Sequence, residues 1–168
     1  MADVLYHYYV EGENEEKVVN TLKSELRYIQ PGKVSVFDVV KKHMTKNRLM
    51  RLKQGTVVVL VFDTDTDSAE ILKENIALIK KQKAIKKLIC ITQVKNLEDE
   101  LVRSCEIRNA RELTGSRSIT DYKRDLNSEK NLGAKLVSRM FDIDKFWSKE
   151  PEGVFRSITN DAKMIKLK

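Results

Sequence analysis

The chain has 168 residues, of which 41% are hydrophobic and 34% charged, a composition that predicts one globular domain and excludes a disordered chain. No apolar run approaches the roughly 18 residues that a membrane-spanning helix needs, and without a visible signal peptide we expect a cytoplasmic protein. The formal net charge of +7 favours a polyanionic partner such as nucleic acid, although a protein that is simply basic has the same composition.

The first half of the chain predicts strands that alternate with helices. Residues 4–10 are aromatic and apolar and predict a first strand, after which Asn14 is a candidate N-cap of a helix. Residues 34–37 predict a short second strand, and the basic segment at 39–50 is only loosely periodic. Residues 56–62 form an uninterrupted, largely β-branched run, which is typical of a strand buried on both faces.

The second half continues the alternation. Residues 68–83 show the spacing of an amphipathic helix, and residues 87–92 predict another strand. Asn96 is expected to cap the helix that follows. Residues 115–127 have little periodicity and predict a loop, whereas residues 130–141 predict a last helix.

This order of elements predicts an α/β fold of Rossmann-like type, with a mostly parallel central sheet and helices on both faces. We expect a single domain over residues 1–168, with a core at about 4–105 and a C-terminal helical extension at about 115–168. The tail at 163–168 is expected to fray. Cys90 and Cys105 lack metal-type spacing and are expected to be reduced thiols.

Acidic residues follow two of the predicted strands. Glu11 follows the first strand, and Asp63 and Asp65 follow the central one. Ligands of open α/β sheets bind at the carboxyl ends of the strands, and neighbouring carboxylates repel one another unless a cation lies between them. The pattern therefore predicts a site for a hard divalent metal, which suits phosphodiester hydrolysis. A solvated turn, with Asp67 capping the next helix, is the simpler explanation of the same acids.

Two segments resemble the Toprim domain of topoisomerases, DnaG-type primases, OLD-family nucleases and small ribosomal-RNA-maturing ribonucleases. They are residues 10–16, Val-Glu-Gly-Glu-Asn-Glu-Glu, and residues 61–67, Val-Phe-Asp-Thr-Asp-Thr-Asp. The resemblance covers roughly residues 4–93 and is closest to stand-alone bacterial proteins similar to RloB, which are often linked to defence. Thr64 replaces a proline that topoisomerases and primases usually carry, and no glycine follows Asp67, which weakens those two branches.

The resemblance implies a nuclease that depends on Mg²⁺ or Mn²⁺ and cleaves RNA or DNA. It assigns catalysis to Glu11 and Glu15, and metal binding to Asp63, Asp65 and Glu11. A later helix acid of the RloB-like group is matched by Glu98 or Glu100. A protein partner encoded by a neighbouring gene is a further expectation.

Basic residues in two segments are candidates for contact with nucleic acid. The first group lies between Asp38 and Asp63, a segment that contains no acidic residue. The second group lies in the predicted loop at 115–127. Tyr122 of the same loop is a candidate for stacking on a base. A solvated surface explains the first group equally well. The candidates are Lys41, Lys42, Lys46, Arg48, Arg51, Lys53, Arg117, Lys123 and Arg124.

Two other functions remain open. The first is a non-catalytic module that keeps the fold and binds nucleic acid or a protein without turnover. The second is a receiver-like signalling domain with Asp63 as phosphoacceptor, for which Lys95 is the nearest lysine after the last strand. His7 and His43 have no second ligand candidate nearby in the sequence and are expected to be structural.

Overall fold

A computed structural model describes residues 3–167 and contains a four-stranded sheet in which every pair of neighbours is parallel. The predicted α/β fold with a parallel sheet is confirmed, and it is consistent with a Rossmann-like fold. The strand order is β2-β1-β3-β4. The strands are β1 (Leu5–Val10), β2 (Gly32–Val36), β3 (Thr56–Asp63) and β4 (Ile85–Gln93).

Six helices accompany these strands in the described part of the chain. They are α1 (Glu13–Asn20), which continues as a π-helical turn (Thr21–Glu25), α2 (Lys46–Met50), α3 (Glu70–Lys80), α4 (Leu97–Ser104), α5 (Ile119–Ser128) and α6 (Leu132–Ser138). Short 3₁₀ turns lie at Ala110–Leu113, Gly153–Phe155 and Ala162–Met164. None of the helices among residues 3–167 is long and apolar enough to cross a bilayer.

The interior position of β3 explains its continuous apolar sequence. It pairs with β1 on one side and β4 on the other, and its residues from Thr56 to Phe62 are all buried. Val59 and Val61 face one core, to which α1, α4, α5 and α6 contribute. Leu60 and Phe62 face the other core, to which α2 and α3 contribute. Helices on both faces therefore bury the side chains from Thr56 to Phe62.

The prediction of a loop at residues 115–127 is wrong, because most of this segment forms the helix α5. The hydroxyl of Ser118 accepts a hydrogen bond from the N–H of Asp121 at 3.1 Å, which caps the helix. Tyr122 and Leu126, one turn apart, are its only buried residues, so the helical period was weak in the sequence. Tyr122 is fully buried in the core, and its predicted stacking on a base is also wrong.

Several predicted helix starts and ends also differ from the structure. Asn14 does not cap α1; its side-chain amide instead donates to the carbonyl of Lys123 at 2.8 Å and so ties α1 to α5. Asp67 does not cap α3, which follows Ala69. The Asn96 cap is confirmed, since its side chain accepts from the N–H of Asp99 at 2.9 Å.

The chain end is docked as far as Leu167, contrary to the predicted fraying, and Lys168 lies outside the described residues. Ile165 is fully buried, and its carbonyl accepts from the N–H of Gln30 at 2.9 Å. The N–H of Leu167 donates to the carbonyl of Tyr28 at 2.9 Å. The last residues therefore pack beside the segment that leads into β2.

Candidate metal centre

The strand order places the carboxyl ends of β1 and β3 side by side. From β1 the chain moves outward to β2 and then returns to the other side of β1 as β3, so the connections diverge between these two strands. Such a switch point leaves a crevice at the carboxyl ends of the strands, where open α/β sheets bind their ligands. Glu11 directly follows β1 and Asp63 is the last residue of β3, so both lie at this crevice.

Three carboxylates meet there. Oxygen atoms of Glu11, Glu15 and Asp63 all lie within 4.8 Å of one another. Glu15 comes from the first turn of α1, which begins two residues after Glu11. The N–H of Asp63 donates to Oε1 of Glu11 at 3.0 Å, which ties the end of β3 to the residue that follows β1. Two of the predicted site residues, Glu11 and Asp63, are thus joined directly by a hydrogen bond.

The electrostatics of this carboxylate group are unfavourable when all three members are ionised. Burial, and then the neighbouring charge of Glu11, raise the pKa of Asp63. Burial and the charge of Asp38 raise the pKa of Glu11, and burial also raises that of Glu15. Among residues 3–167, no lysine or arginine forms an ion pair with any of the three. A bound proton or a bound cation is needed to offset their repulsion.

A buried chain of hydrogen bonds orients Asp63. Gln93, the last residue of β4, lies opposite Asp63 in the sheet, and its side-chain amide donates to Oδ1 of Asp63 at 2.7 Å. The indole N–H of Trp147 donates in turn to Oε1 of Gln93 at 3.1 Å. Gln93 and Trp147 are both buried. Partners of this kind hold a metal-binding carboxylate in position.

The sequence analysis missed Gln93. Its position at the end of a strand, beside the acidic edge of the sheet, was the signal that could have identified it. The strand was predicted to stop at residue 92, so Gln93 was placed beyond the sheet rather than opposite Asp63.

Asp65 is not part of the carboxylate group. It is exposed, two residues beyond the end of β3, although its charge adds to the raised pKa of Asp63. The N–H of Thr64 donates to the carbonyls of Gln93 and Lys95, at 3.1 and 2.7 Å, and this turns the chain toward the end of β4. Glu15 occupies the third position that the sequence pattern gave to Asp65.

The acids of α4 have different surroundings. Glu100 is fully buried and accepts from the N–H groups of Val94 and Trp147, at 2.8 and 3.0 Å. It also pairs with Arg103 at 2.7 Å, so it anchors the chain and does not join the carboxylate group. Glu98 lies close enough to the carboxylate group for its charge to contribute to the raised pKa of Glu15.

Tyr122 brings a hydroxyl close to the same carboxylates. Its side chain is fully buried, and the hydroxyl has no hydrogen-bond partner among the described residues. Burial raises its pKa, and the charges of Glu98 and Glu15 raise it further, which locates the ring near these acids. Buried hydroxyl groups are usually paired with protein or water, so this one is free to donate to a ligand or water beside the carboxylates.

Some of the basic residues predicted to contact nucleic acid lie near the carboxylate group, and others lie far from it. Lys123 lies close to the carboxylate group, because its charge lowers the pKa of Glu15 against the dominant effect of burial. Lys41 follows Asp38 closely, and its N–H donates to the Asp38 carboxylate at 3.2 Å, which places that turn beside Glu11. Arg48, Arg51 and Lys53 instead line a cavity at the amino ends of the strands.

The remaining predicted contacts are surface residues. Lys42, Lys46 and Arg117 are exposed, and Arg124 is exposed and pairs with Asp121 at 3.2 Å and with Asp125 at 3.3 Å. The structure therefore does not bring the nine predicted basic residues together into one surface beside the carboxylates.

No family model, no curated protein and no solved structure matches this chain. The resemblance to Toprim domains therefore stays a prediction, which depends on the sequence segments 10–16 and 61–67.

Proposed function

We propose that the protein hydrolyses phosphodiester bonds of nucleic acid with one Mg²⁺ or Mn²⁺ ion held by Glu11, Glu15 and Asp63. The observation that carries this proposal is the meeting of these three carboxylates at the switch point of the sheet, where no lysine or arginine of residues 3–167 pairs with them. Carboxylate oxygens are the ligands that both ions prefer, and no cysteine or histidine belongs to the group, which fits a hard cation.

Each carboxylate has a distinct part in this proposal. Asp63 is oriented by the side-chain amide of Gln93 through Oδ1, and its carboxyl group lies next to that of Glu11, with which it would share the ion. Glu11 is oriented by the N–H of Asp63. Burial raises the pKa of Glu15 and favours its neutral form, which suits this residue to hold and transfer a proton.

The bound ion would neutralise charge on the scissile phosphate and help to activate the attacking water. Lys123 supplies positive charge near the carboxylates, and Lys41 belongs to the turn after β2 whose Asp38 lies near Glu11. These two lysines are proposed to hold the phosphate backbone, with RNA and DNA as the candidate substrates. Cys90 and Cys105 are free thiols, which fits the reducing cytoplasm as the proposed place of action.

The receiver-like alternative has less support. Such a domain needs a lysine that approaches the phosphoacceptor, and among the described residues Asp63 forms no ion pair with any lysine. Asp63 is engaged by Gln93 and its N–H by Glu11. Formation of a stable acyl phosphate on Asp63 with a small phosphodonor would favour that alternative.

The test compares cleavage of labelled RNA and DNA by the wild type and by the variants Glu11→Gln, Glu15→Gln and Asp63→Asn, with Mn²⁺, Mg²⁺ or EDTA. We expect each variant to lose about 100-fold or more in rate, as for removal of a catalytic acid or base. Asp67→Asn is the matched control, because Asp67 is exposed and lies outside the carboxylate group, and it should cleave like the wild type.

Two outcomes would overturn the proposal. Equal cleavage by the wild type and the three variants would remove the assigned roles. Salt-dependent binding of nucleic acid by the wild type, with no cleavage under any metal condition, would leave the non-catalytic binding module.

A further inference from the structure

A second concave site lies at the opposite edge of the sheet from the carboxylates. It is a cavity of about 560 Å³ at the amino ends of β1, β2 and β3, within the size range of small-molecule pockets. Leu5 and Thr56, which begin β1 and β3, line it. Leu5 lies about 20 Å along β1 from Glu11, at about 3.3 Å per residue, and the cavity extends from Leu5 along the strand as far as Tyr9.

The walls of this cavity carry concentrated positive charge. Lys33, Arg48, Arg51 and Lys53 line it, and no aspartate or glutamate does. None of these four cations forms an ion pair with another residue of the described chain. Arg48 is held in place, because its guanidinium lies 4.7 Å from the centre of the Phe37 ring. A concave surface with unpaired cations focuses a field that attracts anions.

The floor of the cavity combines aromatic and polar groups. The ring of His7 stacks on Tyr9, with centroids 4.5 Å apart and planes 14° from parallel. Nε2 of His7 lies 2.8 Å from the hydroxyl of Ser35. Burial, and then the charges of Lys33 and Arg48, lower the pKa of His7 to about 4, so the ring is neutral at physiological pH. Because Nε2 is engaged by Ser35, Nδ1 is the ring nitrogen that remains to bond with a polar heterocycle.

Apolar side chains complete the lining. Leu5, Pro31 and Leu52 border the cavity beside the His7 ring. The lining therefore offers apolar and aromatic surface at the strands and cations on the connection between β2 and β3. A ligand that matches both parts has a planar polar ring at one end and phosphate at the other.

We propose that this cavity binds a nucleoside phosphate, with the base beside His7 and the phosphate at Arg48, Arg51 and Lys53. Guanidinium groups bind phosphate through paired hydrogen bonds, which suits the two arginines to this role. The ligand is either a free nucleotide or the phosphorylated end of a nucleic acid, since the two share this chemistry. The site does not depend on the carboxylate group, so it goes beyond the proposed hydrolysis.

The test is calorimetric titration in EDTA with AMP, UMP, adenosine and inorganic phosphate as separate probes. We expect a nucleoside monophosphate to bind about tenfold or more tightly than adenosine or phosphate alone, because only it engages both parts of the cavity. The double variant Arg51→Gln/Lys53→Gln should weaken binding about tenfold or more. Both residues are exposed, so the fold should tolerate the change.

Three control variants isolate the effect. Lys130→Gln/Lys163→Gln removes the same charge from two exposed lysines outside the cavity and should leave the affinity unchanged. Lys53→Arg keeps the charge and should retain binding. Asp63→Asn should also retain it, so that loss of the metal site and loss of this site are distinguishable.

The histidines provide a local readout. The chain has two, and His43 pairs with Glu74 at 3.2 Å and does not line the cavity. On addition of AMP, the ring-proton NMR signals of His7 should shift while those of His43 stay in place. AMP and UMP test a free nucleotide as the ligand. A trinucleotide with a 5′-phosphate, compared with the same trinucleotide with a 5′-hydroxyl, tests the phosphorylated end of a nucleic acid. Binding of either ligand supports the proposal.

Three results would each overturn the proposal: no binding of any nucleotide or phosphorylated trinucleotide, equal affinity in Arg51→Gln/Lys53→Gln, or inorganic phosphate binding as tightly as AMP. The last result would show an unspecific anion site. If AMP binds and the His7 signals do not change, the nucleotide lies elsewhere on the protein, and the proposal is likewise overturned.

Discussion

Replacement of Asp63 by asparagine should stabilise the metal-free protein at alkaline pH. The carboxylate oxygens of Glu11, Glu15 and Asp63 lie within 4.8 Å of one another, and the substitution removes one of the three charges. Two unit charges at that distance interact by about 3.5 kcal/mol at an effective dielectric constant of about 20. Because partial protonation already relieves part of this repulsion in the wild type, we expect a gain of about 1–2 kcal/mol in the free energy of unfolding.

The sign of the pH dependence follows from the direction of the pKa shifts. Burial and neighbouring charge raise the pKa of Asp63 and of Glu11 in the folded protein. The stability that their protonated forms contribute is therefore present below the ordinary carboxyl pKa of about 4, and it is lost as the pH rises through the raised values. The wild type should lose stability from pH 5 to pH 8, and Asp63→Asn should lose less.

The assay is thermal unfolding followed by circular dichroism at pH 5 and pH 8, in EDTA and in Mn²⁺. At pH 8 in EDTA, Asp63→Asn should melt about 3–6 °C above the wild type, and the difference should shrink at pH 5. Asparagine keeps an oxygen that can accept from Gln93, so this contact is preserved. At 100 times Kd, Mn²⁺ should add about 2.7 kcal/mol to the free energy of unfolding of the wild type, so it should raise the melting temperature of the wild type and not that of the variant.

The exposed Asp67→Asn is again the matched control. If Asp63→Asn melts below the wild type at pH 8 in EDTA, or if the two differ equally at both pH values, the three carboxylates do not repel one another as argued. If Mn²⁺ stabilises both proteins equally, the ion binds elsewhere.

The remaining predictions concern the groups around the carboxylates. Gln93→Leu breaks the link from Trp147 to Asp63 and should weaken Mn²⁺ binding about 10–100-fold by calorimetry, as loss of an orienting partner does; unchanged affinity would contradict the role of this link. Tyr122→Phe removes a buried hydroxyl without a partner, so urea unfolding in EDTA should show stability equal to the wild type or about 1 kcal/mol higher, and a clear loss would reveal an unseen hydrogen bond. Glu100→Ala leaves Arg103 and two buried N–H groups unpaired and should cost about 3 kcal/mol or more by urea unfolding; a cost below about 1 kcal/mol would show that Glu100 does not anchor the chain.

The sheet was predictable because its signals are local. The apolar run that became β3 needs cover on both faces, and this requirement alone indicates a helix-covered parallel sheet. Acids at the ends of the first and central strands were predicted to meet around one divalent metal ion. The strand order that makes them neighbours depends on packing between segments about 50 residues apart, which no local pattern reports.

The parts that were predicted wrongly depend on tertiary contacts. Helix α5 buries only Tyr122 and Leu126, too few positions to show a helical period, and the cap at Ser118 is its main local signal. The third carboxylate is a similar case. Asp65 and Glu15 were both plausible in the sequence, and hydrogen bonds from Thr64 to two carbonyls near the end of β4 direct Asp65 away.

The C-terminal extension supports the carboxylate group although it lies beyond the segment that resembles Toprim domains. Trp147 donates its backbone N–H to Glu100 and its indole N–H to Gln93, so one residue of the extension fixes both α4 and the partner of Asp63. Because Gln93 is buried and its amide has both its oxygen and its nitrogen engaged, it cannot rotate without losing one of these contacts. The orientation of Asp63 is therefore determined, through Gln93, by a side chain more than 80 residues away in the sequence.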